Sequence, residues 1–125
     1  MAFKMAIEAA DGRTVEDAYW IPAQINVGVA DKGGNITFLA YSSPEAMDAG
    51  KAPIAGAVKS YAFTPDEFNA ATQLPMSALF PQGISGENIL YEVLGRFAYG
   101  VALSRQDVEN EDGTMRSFFE NAENV

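Results

Sequence analysis

The chain has 125 residues, of which 48% are hydrophobic and 20% are charged, a composition typical of a globular domain that can bury its own core. It contains no cysteine and no histidine, which excludes disulfides, thiolate zinc sites, cysteine nucleophiles and every histidine-based acid–base or metal site. The formal net charge of −9 gives a surface that repels phosphate backbones and anionic lipid headgroups, so we expect neither a nucleic-acid nor a membrane partner.

No targeting or membrane-spanning segment is visible in the sequence. Residues 1–13 include the acidic Glu8 and lack the apolar stretch of a signal peptide. The longest uncharged run, residues 68–86, contains Pro75, Pro81 and many polar side chains, and we reject it as a membrane span. We expect one domain over residues 1–125, synthesised in the cytoplasm.

The first part of the chain predicts strands. Residues 3–8 alternate between apolar and more polar side chains, and residues 19–41 predict a β-hairpin whose turn lies at residues 31–35. Pro22 and Gly28 predict that the first strand of this hairpin runs along a sheet edge at its beginning and bulges near its end. All the odd positions of that strand are apolar, which predicts one apolar face: Tyr19, Ile21, Ala23, Ile25, Val27 and Val29.

Two short helices are predicted from their capping residues. Ser43 as N-cap, Pro44 at the first position and Gly50 as the stop residue define the first helix. A third strand follows, with Tyr61 and Phe63 on one face. Residues 64–67 then match a capping box with a proline at the first helical position, so a second helix begins there.

A long helix is predicted in residues 85–103, with Ser85 as its N-cap. Its apolar stripe should cover the sheet and comprises Ile89, Leu90, Val93, Leu94, Phe97 and Val101. Gly95 and Gly100 lower helix stability, and we expect each to mark a close approach of another backbone. The predicted fold class is α+β: an antiparallel meander or hairpin sheet of three to four strands, packed against one long helix, with short capped helices in the connections.

Residues 107–125 predict an acidic loop and a C-terminal tail. An EF-hand loop that started at Asp107 would need glycine at position 112 and glutamate at position 118, where the chain has Asp112 and Phe118. We interpret the loop as a solvated acidic turn, although an unclassified calcium site is left open. No catalytic, cofactor-binding or metal-binding residue is assigned.

Two pairs of carboxylates could carry out acid–base chemistry if they lay in a cleft. Asp66 and Glu67 are better explained by the capping box, and Glu16 and Asp17 lie beside Trp20 without any further signal. The aromatic residues of the strands and of the long helix are expected in the core or on a sheet face: Trp20, Tyr41, Tyr61, Phe63 and Phe97.

Other apolar residues lie in segments without a regular pattern, and these form the candidate interface: Leu74, Met76, Leu79, Phe80, Met115, Phe118 and Phe119. Either group could be exposed in the monomer and buried by a partner. The alternative, a loop and a tail folded back on their own core, stays open.

The chain carries, in order, the pair Tyr19–Trp20, a hairpin ending in ITFLAYSSPEAMDAGKAPI, the strand YAFT leading into DEF, a late helix and the terminal SFFENAENV. This order resembles the short proteins encoded among the tail and structural genes of tailed bacteriophages. The resemblance implies a virion or assembly component that acts through protein contacts and has no catalytic motif. It does not extend to residues 68–88 and 107–113, which are longer than the usual connections of that family.

We therefore expect a phage structural protein of the tail, baseplate or neck, made in the host cytoplasm and located in the virion. Its partners would be other virion proteins and further copies of itself, it would need no cofactor, and it would not be an enzyme. The alternative is a phage accessory protein or assembly chaperone outside the virion that binds a host or phage protein. A third hypothesis, a hydrolase, depends on Glu16, Asp17, Asp66 or Glu67.

Overall fold

The structure is a computed structural model, and it describes residues 2–72 and 89–124. The predicted cap Ser85 lies outside these residues. The elements in the two described ranges are, in chain order, β1 (Phe3–Glu8), β2 (Thr14–Val27), β3 (Gly34–Tyr41), α1 (Pro44–Asp48), β4 (Val58–Phe63), α2 (Pro65–Thr72), α3 (Ile89–Ser104), β5 (Val108–Glu109), β6 (Met115–Arg116) and β7 (Glu123–Asn124).

Five of these strands form one antiparallel sheet in the order β4-β3-β2-β1-β7, and β5 pairs with β6 in a small separate ribbon. The prediction of an α+β fold with an antiparallel sheet is confirmed. The count of three to four strands was too low, because the end of the chain returns to the sheet. There Glu123 pairs with Lys4 and Asn124 with Phe3, which makes β7 an edge strand.

The predicted hairpin is present, but β2 differs from its prediction in two ways. It pairs with β1 on one side and with β3 on the other, so it does not begin at an edge. A bulge between Pro22 and Gln24 leaves one extra residue in β2 and reverses the alternation of its side chains. Trp20 and Ile25 therefore both face the core, whereas Tyr19 and Ile21, which precede the bulge, face the opposite side.

Helix α3 packs on the core face of the sheet through its second half. Ala98 and Ala102 are fully buried, and the ring of Tyr99 meets the ring of Phe3 edge to face with centroids 4.8 Å apart. Among the described residues, no other backbone makes the close approach that was expected at the two helix glycines. A Cβ atom on Gly95 would find only the Tyr99 ring, at 4.0 Å, and one on Gly100 would find nothing within 4 Å. The alanines are the small residues buried where α3 meets the core.

The predicted capping of α1 is confirmed in detail. Ser43 Oγ accepts a hydrogen bond of 3.0 Å from the Ala46 N–H. At the other end Gly50 has φ +75°, and the N–H groups of Gly50 and Lys51 donate to Met47 O and Ala46 O, which is a Schellman motif. Local hydrogen bonding thus fixes where this helix begins and ends.

The capping box of α2 is also confirmed. The Glu67 N–H donates to Thr64 Oγ1 at 3.2 Å, and the Thr64 N–H donates back to Glu67 Oε1 at 3.1 Å. The preceding strand β4 buries Tyr61 and Phe63 on one face, as the alternation predicts. Phe97 of α3 meets Phe63 edge to face at 5.0 Å, so the start of α2 lies close to the helix that covers the sheet.

Gly34, at the start of β3, is a site where the hairpin requires glycine. A Cβ atom there would overlap the carbonyl oxygen of Asn26 and approach the ring of Phe63 to 2.9 Å. We expect Gly34→Ala to lower the free energy of unfolding by about 1–3 kcal/mol through this overlap. The fluorescence of Trp20, the single tryptophan, reports the transition in a denaturant titration.

Gly33→Ala is the matched control, because the nearest atom to its Cβ would be Pro65 Cδ at an ordinary 3.6 Å. We expect this neighbouring variant to stay within about 0.5 kcal/mol of the wild type. Equal losses for the two variants would contradict the hairpin geometry.

Candidate interaction surface

The candidate interface residues lie in two segments, and the structure describes one of them. Four of them lie outside the described residues: Leu74, Met76, Leu79 and Phe80. In the tail, Met115 on β6 is 46% exposed, Phe118 is half-buried and Phe119 is fully buried. Two adjacent phenylalanines at the end of the chain thus have different environments.

Phe119 is part of the hydrophobic core. Its ring stacks on Phe3 with centroids 4.6 Å apart, lies 5.2 Å from Phe38, and meets Trp20 edge to face at 5.3 Å. Phe119 is therefore unavailable to a partner in this structure, and the tail is folded back as in the alternative left open above. The sequence alone cannot distinguish an inward from an outward phenylalanine in a pair that lies outside any regular element.

Asp107 holds the tail to strand β4. Its carboxylate accepts hydrogen bonds from the Phe118 N–H at 2.9 Å, Lys59 Nζ at 3.1 Å and the Tyr61 hydroxyl at 3.3 Å. Lys59 also lies 4.4 Å above the centre of the Phe118 ring, a cation–π contact. Phe118 is thus half-covered by Lys59 and keeps only part of its surface for a partner.

This cluster shifts the ionisation of two groups. Burial opposes ionisation of Asp107, but the hydrogen bonds from the Phe118 N–H and from Lys59 outweigh it, and the pKa of Asp107 lies below its usual value. Burial, reinforced by the Asp107 charge, raises the pKa of Tyr61. Both shifts keep the carboxylate charged and the phenol neutral at pH 7, which suits a structural tie.

Arg105 forms a second tie between the end of α3, α2 and β4. Its guanidinium donates two parallel hydrogen bonds to the Glu67 carboxylate, at 2.8 and 2.9 Å, and a third to Ala62 O at 2.6 Å. The hydrogen bond from Arg105 holds the pKa of Glu67 below its usual value. Glu67 thus contributes to the capping box and to this tie, so it is held in its charged form rather than poised as a general acid.

The other acidic residues considered for catalysis, Asp66 and Asp17, lie on separate elements. Asp66 is exposed in the first turn of α2, and Asp17 on β2 lies 4.0 Å from Lys4 Nζ. In the acidic loop, Asp112 accepts hydrogen bonds from the Thr114 hydroxyl and N–H at 2.6 and 3.0 Å, which close the turn between β5 and β6. Within the described ranges no three acidic side chains are grouped so that they could hold a metal ion.

The outer face of the sheet, opposite α3, carries a patch of apolar side chains that the sequence analysis did not single out. Strand register makes them neighbours, because Tyr19 pairs with Tyr41, Ile21 with Leu39, and Leu39 with Val58. Val58 is 52% exposed and the others are half-buried. We call these five residues the outer patch. The sequence pattern did not predict this patch, because an uninterrupted alternation places Tyr19 and Ile21 on the same face as Ile25. The bulge places them on the opposite face.

Polar pairs border the outer patch along the same face. Asn26 Nδ2 donates to Asn35 Oδ1 at 2.9 Å, and the hydroxyls of Thr37 and Ser60 lie 3.3 Å apart. Cross-strand pairs of this kind stabilise the pairing of neighbouring strands. The outer face thus has an apolar centre with a polar border.

A groove of about 520 Å³ lies beside β2, between this strand and helices α1 and α3. It is lined mainly by apolar side chains, with Arg96 contributing a positive charge. The residues around it are Tyr19, Ile21, Pro22, Ala23, Gln24, Ile25, Met47, Leu94, Gly95, Arg96 and Tyr99. The bulged residues of β2 thus form one side of this groove.

No protein-family model, no curated protein and no solved structure matches this chain. In the part of the chain that the structure describes, no helix has the length and apolar character needed to cross a bilayer.

Truncation of Phe119 tests whether the tail belongs to the core. We expect Phe119→Ala to lower the free energy of unfolding by about 3–5 kcal/mol, because the cavity would lie among Phe3, Trp20 and Phe38. Met115→Ala, the control in the same tail, should change it by less than about 0.5 kcal/mol. Similar small changes in both variants would contradict the packing of the tail.

Acid titration tests the Asp107 tie. The pKa of Asp107 is lowered by folding, so its contribution is complete above the unfolded value of 3.8 and is lost as the pH falls through the lower folded value. We expect Asp107→Asn to cost about 1–3 kcal/mol at about pH 7, and this difference from wild type to shrink at about pH 3. Urea unfolding at each pH measures both quantities.

Glu111→Gln, in the exposed turn between β5 and β6, serves as the control and should match the wild type at both pH values. A cost for Asp107→Asn that did not change with pH would show that charge is not what holds the tail.

Proposed function

We propose that the protein is a structural component of a phage particle, at the tail, baseplate or neck, and that it acts through protein–protein contacts. The observation that carries this proposal is the outer patch. Its five apolar side chains are neighbours in the strand register on the outer face of the sheet, and two of them, Tyr19 and Ile21, also line the groove beside β2. The resemblance to short proteins of phage structural gene clusters is the reason for proposing a phage particle as the assembly.

The outer patch has the properties of a surface for packing against another protein. A sheet face with an apolar centre and a polar border matches the common anatomy of protein interfaces. Tyr19 and Tyr41 are aromatic and supply the large contact area that interface centres favour. The net charge of −9 keeps the molecules apart except where such a specific surface overcomes repulsion, which favours a defined assembly over non-specific association.

Val58→Lys tests this role directly. The side chain is 52% exposed, so the substitution should leave folding intact, yet it places a charge within the patch. We expect wild-type protein in purified phage particles, detected by mass spectrometry in several copies, and loss of the Val58→Lys variant from them. Val29→Lys is the matched control, because Val29 is 96% exposed in the turn between β2 and β3, outside the patch, and should be incorporated normally.

Thermal unfolding of the purified variants must show that both are folded. Absence of the wild-type protein from particles would contradict the proposal and favour the accessory or chaperone alternative. Normal incorporation of Val58→Lys would show that the outer patch is not the contact surface.

A further inference from the structure

We draw no further inference here: the strongest candidate, the groove between strand β2 and helices α1 and α3, carries none, because nothing in the described residues shows what covers it.

Discussion

Insertion of the Phe119 ring into the core joins the end of the chain to its beginning. The ring stacks on Phe3 of the first strand and contacts Trp20 and Phe38 of the two central strands. The Trp20 Nε1 is buried without a hydrogen-bond acceptor in the described structure, so packing in the core rather than a side-chain hydrogen bond positions this indole. The fifth strand of the sheet depends on the same contact, since β7 follows Phe119 by only a few residues.

Charged side chains determine how the tail reaches that position. Arg105 ties the end of α3 to Ala62 O and Glu67, and Asp107 then ties the following segment to Lys59 on the same strand. Arg105 thereby reaches the main chain of β4, which is an edge strand of the sheet.

The sequence predicts best what is determined locally. Ser43, Gly50, Thr64 and Glu67 act through hydrogen bonds within a few residues, and both helix starts were predicted correctly. The bulge at Ala23 could not be located in this way, because the pairing with β3 fixes it and an uninterrupted alternation looks equally regular. The bulge reverses which side chains of β2 are buried, and this is why both the outer patch and the groove were missed.

The tail is the part on which the rest of the structure depends, and its order can be measured directly. The Phe119 N–H donates to Ser117 Oγ at 3.2 Å, and both residues are buried. Amide hydrogen exchange followed by NMR should show Phe119 opening with a free energy close to that of the β3 amides, near the global stability. Exchange of Phe119 at the rate of an unstructured peptide, with β3 still protected, would show that the tail is not part of the core.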